Sequence, residues 1–193
     1  GALAITAASG TCSITATRAA DTNYNVSAVS PVPAVVSVGK ADQATLVAVA
    51  TPSTVPYGTT SALSTTGGSG TGAVSFSAGA SSGCSVTGST LSVTDASGTC
   101  SVTATKAADA TYNAATSAAL PVTLTKGTQA TVTVTAPASA TFGQLGLSAV
   151  AAGGSGTGSY SYDAGSSTAC SVNSSTGALA ITAASGTCSI TAT

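Results

Sequence analysis

The chain contains no histidine, methionine, tryptophan or glutamate, and its only carboxylate side chains are Asp21, Asp42, Asp95, Asp109 and Asp163. Without histidine, neither a Ser-His nor a Cys-His nucleophile can be assembled, and the commonest metal ligand is missing. The aspartates stand singly along the sequence, so neither a calcium loop nor the paired carboxylates of a glycosidase can be read from it. Charge of either sign is scarce: 5% of residues carry one, against roughly 25% in an ordinary soluble domain. The four cations, Arg18, Lys40, Lys106 and Lys126, are too dispersed for a nucleic-acid face. The longest apolar runs, such as residues 32–38, fall far short of the ~20 residues of a membrane-spanning helix. Two GGSGTG runs, at 67–72 and 153–158, lack the lysine and the helix of a phosphate-binding loop. No catalytic, cofactor or metal site is therefore expected, and no enzyme.

Large apolar side chains are few as well, with two Phe and five Tyr. A core of Ala, Val and scattered Leu buries little area per residue, so covalent staples are expected. What the chain does have is hydroxyl: Ser and Thr occupy 66 of the 193 positions. It also has repetition. GALAITAASGTCSITAT fills residues 1–17 and returns unchanged at 177–193, which reads as a window onto a longer tandem array. A residue like Arg18 is then expected to follow Thr193 in the next copy.

The 176-residue period is itself double, since Cys12, Cys100 and Cys188 lie 88 residues apart and Cys84 and Cys170 lie 86 apart. One unit covers residues 40–125. A related unit begins at 126 and runs to 193, its missing end supplied by residues 18–39, so that 1–39 read as the C-terminal part of a preceding unit. The heads KADQATLVAVATP and KGTQATVTVTAP place Lys40 and Lys126 at domain junctions with almost no linker, and restricted swing is expected there.

Within each unit the period is two. Cys100, Val102 and Ala104 alternate with Ser101, Thr103 and Thr105, the pattern of a half-buried strand with a hydroxyl face. Turn residues cluster at 52–58, 67–72, 79–83 and 96–98. About seven short strands per ~88 residues predicts an all-β chain of tandem immunoglobulin-like sandwiches.

The cysteines fall into neighbouring alternating segments, Cys84 with Cys100 and Cys170 with Cys188, and each pair is expected to form a disulfide. Cys12 is the odd one, and the repeat puts its partner upstream of Gly1. Disulfides imply an oxidising, extracellular compartment. Asp109 with Tyr112, echoed by Asp21 with Tyr24, suits a turn whose Tyr ring caps the core with its hydroxyl reaching local backbone; a ligand-binding loop is the sharper alternative. Asn25 and Asn173 begin N-glycosylation sequons.

The string GTCSVTATKAADATYNAATSAALPVTLTKGTQATVTV, residues 98–134, resembles the bacterial Ig-like repeats of very large surface and secreted proteins. In that family a C-[ST]-[IV]-T-A strand leads to a D/N-x-x-Y-N-A turn and then to Lys-x-x-Gln at the next domain's start. Cys100, Asp109, Tyr112, Asn113, Lys126 and Gln129 fall on the pattern. The resemblance implies a shaft or spacer: a structural component of an extracellular bacterial filament or surface fibre, partnered by further copies of itself. The alternative it implies is an adhesin module that binds a carbohydrate or a host protein.

Overall fold

Alternating small apolar and hydroxyl residues leave no apolar stripe at helical spacing, and the computed structural model, which describes all residues 1–193, is all-β without a helix. No helix is therefore long and apolar enough to cross a membrane. The chain divides into two compact units, Gly1–Gly127 and Thr128–Thr193, two residues beyond the 125/126 boundary read from the repeat.

The first unit opens with a hairpin of β1 (Gly10–Ile14) and β2 (Ala34–Val38), in which Cys12 stands opposite Val36. Its sandwich follows as β3 (Leu46–Thr51), β4 (Thr54–Pro56), β5 (Thr60–Gly67), β6 (Val74–Ser77), β7 (Cys84–Thr87) and β8 (Thr90–Val93). It continues with β9 (Ser101–Lys106), β10 (Ala115–Thr116), β11 (Leu120–Pro121) and β12 (Thr123–Thr125). One sheet has the order β3-β5-β8-β7; in the other, β9 carries β6 and also β10 and β11. Strand β12 runs parallel to β4. Ten segments form where about seven strands are expected. Pro52 interrupts the first strand, and the return run after β10 is broken around Pro121; a proline has no N–H for a ladder.

The period of two places Leu63 of β5, Leu91 and Val93 of β8, and Val102 of β9 on inward faces, where they meet Val55, Val122 and the two cysteines in one buried cluster. Leu91 and Val102 are 0% exposed. Burying a Leu or Val of this kind contributes about 1.5–3 kcal/mol relative to exposure. Ser61 is the one fully buried polar side chain of β5, and it donates its hydroxyl to the Pro52 carbonyl at 2.6 Å, which removes the cost of an unpaired buried group.

The second unit consists of β13 (Val132–Thr135), β14 (Leu147–Ser148), β15 (Val150–Gly153), β16 (Tyr162–Asp163), β17 (Cys170–Val172), β18 (Ala178–Ile181) and β19 (Thr191–Ala192). Its registers reproduce those of the first sandwich. Cys170 faces Ile181 as Cys84 faces Val93, and Tyr162 faces Ala192 as Phe76 faces Ala104. Residues 128–193 contain no counterpart of β10 to β12. As a result Leu179, Ile181, Ile190 and Ala192 are only half-buried, although the matching residues of the first sandwich are fully buried.

Candidate functional site: the cysteine staples and the domain head

Cys84 opens β7 and Cys100 precedes β9, so their disulfide, with Cα atoms 5.5 Å apart, ties one sheet to the other. Both residues are buried in the core cluster. The turns that carry them touch: a Cβ on Gly98 would stand 2.6 Å from the Gly83 Cα, so only a glycine fits there. Cys170 and Cys188 are bonded in the second unit with Cα atoms 5.6 Å apart, and there Cys188 is exposed. Closing loops of 16 and 18 residues in sequence separation, each bond contributes about 3 kcal/mol through the unfolded chain. Cys12 is a free, half-buried thiol on β1.

Three loops meet at the head of the first sandwich: residues 40–44, the GGSGTG run and residues 107–113. Asp109 organises them. Its Oδ1 accepts the backbone N–H groups of Thr111 and Tyr112, both at 2.8 Å, and its Oδ2 accepts the Thr71 N–H at 2.6 Å. The Thr111, Thr71 and Tyr112 N–H groups, in that order of effect, hold the Asp109 carboxyl far below the usual carboxylate range. Gly70 makes the approach possible. It has φ +69°, and a Cβ there would collide with the Asp109 carboxylate and the Tyr112 ring. A smaller version of this turn surrounds Asp95, whose carboxyl is lowered by the Ser97 N–H and then by the Ser97 hydroxyl.

Gln43 closes the head from the other side. Its Nε2 donates to the Asn113 carbonyl at 2.8 Å and to that of Ala107 at 3.3 Å, while Oε1 accepts the Ser69 N–H at 3.2 Å. Asn113 Nδ2 donates to Asp42 at 2.9 Å, and the backbone of Ala41 exchanges bonds with Thr111 and Asn113. In the second unit Gln129 repeats the clamp on Ser155 and Gly156, at 3.0 and 3.1 Å. Gln43 and Gln129 both stand three residues after the lysine of their head, the Lys-x-x-Gln spacing of the resembled family, which marks the position but not the loops the glutamine clamps.

Asp21 forms the same turn as Asp109, accepting the N–H groups of Asn23 and Tyr24 at 2.8 Å, but no other loop joins it. Tyr24 is 75% exposed and caps no core. Tyr112 is half-buried at the head, and neither its hydroxyl nor that of Tyr24 bonds to backbone. The hydroxyls that do so belong to Tyr160, which donates to the Gly153 carbonyl at 2.7 Å, and Tyr162, which accepts the Ala151 N–H at 3.1 Å. Lys40 and Lys126 are exposed.

This arrangement can resist separation of the loops, since its polar groups are directed at one another. It presents no nucleophile beside a base, and no three His, Cys, Asp or Glu side chains are grouped to hold a metal ion. Comparison with protein-family models, curated proteins and solved structures returns no match to this chain.

Proposed function

We propose that the chain is a structural segment of an extracellular bacterial filament or surface fibre, built of tandem immunoglobulin-like domains each stapled by one disulfide. The sheet orders β3-β5-β8-β7 and β6-β9-β11, with β4 parallel to β12, support that reading. The observation that carries the reading is the register of the N-terminal hairpin. Ser13 faces Val35 and Ile14 faces Ala34 in β1–β2, as Ser101 faces Pro121 and Val102 faces Leu120 in β9–β11. Residues 1–39 thus have the form of the end of one more domain, and the block reads as one period of a longer series. Two disulfides fit an oxidising compartment. In a linear array each domain is held by its nearest neighbours, and tension passes along backbone and short joints.

Gold-labelled antibody raised against residues 40–127 tests this reading on cells that produce the protein. Label at regular intervals along extracellular fibres is the expected result. Label confined to fibre tips, or scattered on the cell surface without fibres, would contradict it and favour the adhesin.

A further inference from the structure

Of the two sequons, Asn25-Val-Ser and Asn173-Ser-Ser, one is built into a hairpin turn and the other is not. Asn173 follows the last residue of β17, and residues 173–177 turn the chain back into β18. The Asn173 N–H donates to the Ala178 carbonyl at 2.8 Å, and the Gly177 N–H donates to the Asn173 carbonyl at 3.0 Å. The Asn173 side chain holds the turn from within, because its Oδ1 accepts the N–H groups of Ser175 and Thr176, both at 3.0 Å. Gly177 seats the turn on the sheet: it has φ +73°, and a Cβ there would strike the Ala149 carbonyl.

Two groups of this turn are left free. Nδ2 of Asn173 donates to no protein group, the hydroxyl of Ser175 is likewise unengaged, and residues 173–176 are all exposed. That exposure belongs to the place in the sandwich. In the first unit the same hairpin joins β7 to β8 through Gly88 and Ser89, and residues 87–90 are exposed there although β10 to β12 are present. That turn has Thr87 in the place of Asn173 and carries no sequon. Asn25 differs in another way, since it lies outside any turn. Ser27 is tied twice to Arg18, its N–H donating to the Arg18 carbonyl at 3.0 Å and its hydroxyl accepting the Arg18 N–H at 2.8 Å.

We propose that Asn173 is a site of N-linked glycosylation in this chain and that Asn25 is not. The new bond joins Nδ2 to the anomeric carbon of a sugar delivered as a glycosyl diphosphate by a transferase. The bond from that carbon to the diphosphate oxygen breaks, the diphosphate leaves with the electron pair, and one Nδ2 proton passes to a base of the transferase. An amide nitrogen is a poor nucleophile because its lone pair is shared with the carbonyl, so loss of that proton is the demanding part. The two N–H groups on Oδ1 stabilise the negative charge that gathers there as the proton leaves. The free Ser175 hydroxyl, two residues on, is open to the enzyme, whereas the Ser27 hydroxyl is engaged. The site requires export, with which the disulfides fit, and is independent of fibre assembly.

Trypsin separates the two sequons, since Arg18 and Lys40 bracket Asn25 and no Lys or Arg lies between Lys126 and Thr193. Chain from producing cells, both released and cell-bound, is digested and its peptides are fragmented by electron transfer, which leaves a sugar on the residue that carries it. A sugar increment on Asn173 and a bare peptide of residues 19–40 are expected. Variants made in the same cells fix the linkage. N173D keeps an oxygen for the turn, as Asp109 does for Thr111 and Tyr112, but has no amide nitrogen, and S175A removes a hydroxyl that holds nothing. Both should lose the increment, and S175T should retain it. A bare Asn173 in both fractions would overturn the proposal, as would equal occupancy at Asn25 or an increment that survives N173D, which would mean a sugar on a hydroxyl. Fibres that label along their length but carry a bare Asn173 would sink this site alone.

Discussion

The backbone N–H of Thr71 donates to the Asp109 carboxylate at 2.6 Å, joining two loops 38 residues apart in sequence. One aspartate thereby links a turn it builds for itself to the GGSGTG loop beside it. The N–H groups favour the charged form of Asp109, so acid weakens the head of the domain.

The folded pKa of Asp109 lies below its unfolded value of about 3.9. Its contribution is fully present above that value and is lost as the pH falls through the lower folded one. Asp109→Asn should lower the urea midpoint at pH 7, and the gap to the parent chain should narrow progressively as the pH falls below about 4. A gap that stays constant on acidification would assign the loss to something other than the charge.

Gly70 and Gly79 both have positive φ, but a Cβ on Gly79 meets open space, whereas one on Gly70 collides with Asp109 and Tyr112. Gly79→Ala should cost about 1–2 kcal/mol for the backbone conformation alone. Gly70→Ala should cost clearly more. Equal losses in denaturant titration would mean that the head is loose enough to absorb the methyl group.

The two disulfides should differ in reactivity. Cys84 and Cys100 are both buried, but Cys188 is exposed, and an accessible disulfide is attacked first. Brief treatment with a thiol reductant followed by alkylation and mass spectrometry should label Cys170 and Cys188 before Cys84 and Cys100. Labelling in the reverse order would contradict the exposure of Cys188.

Core truncation separates the units in the same way. Leu91→Ala should destabilise the first sandwich by about 2–5 kcal/mol, the range for a well-packed leucine. Leu179 occupies the matching place but is half-buried, so Leu179→Ala should cost less than half as much in dilute solution. Comparable losses would contradict the difference in packing around the two leucines.

Much of the strand pattern could be read in advance, because alternation in segments such as CSVTATK leaves only one face to bury. The repeat also brought Cys84 near Cys100 and Cys170 near Cys188. The head was less legible. Asp109 could be placed in its turn, since an aspartate accepts local N–H groups by nature, but its second oxygen takes a backbone donor that any residue at position 71 would supply. Gln43 acts through contacts up to 70 residues away; the Lys-x-x-Gln spacing shared by both heads marks its place, but nothing local records which loops it binds. Leu91 and Leu179 sit in matching strands, and their difference in burial depends on whether a strand lies above them, which neither local sequence records.

The most direct test of the central claim is the axial repeat of the fibre proposed above, measured by electron microscopy on material from producing cells. The longest strand, β5, has 8 residues, about 27 Å at ~3.4 Å per residue, and with end loops a sandwich measures roughly 40 Å, so a two-domain block should recur at about 80 Å. A periodicity in that range supports blocks stacked end to end. An axial repeat of about 40 Å or less, far below the length of the block, would mean that the domains do not follow one another along the axis and would contradict the account.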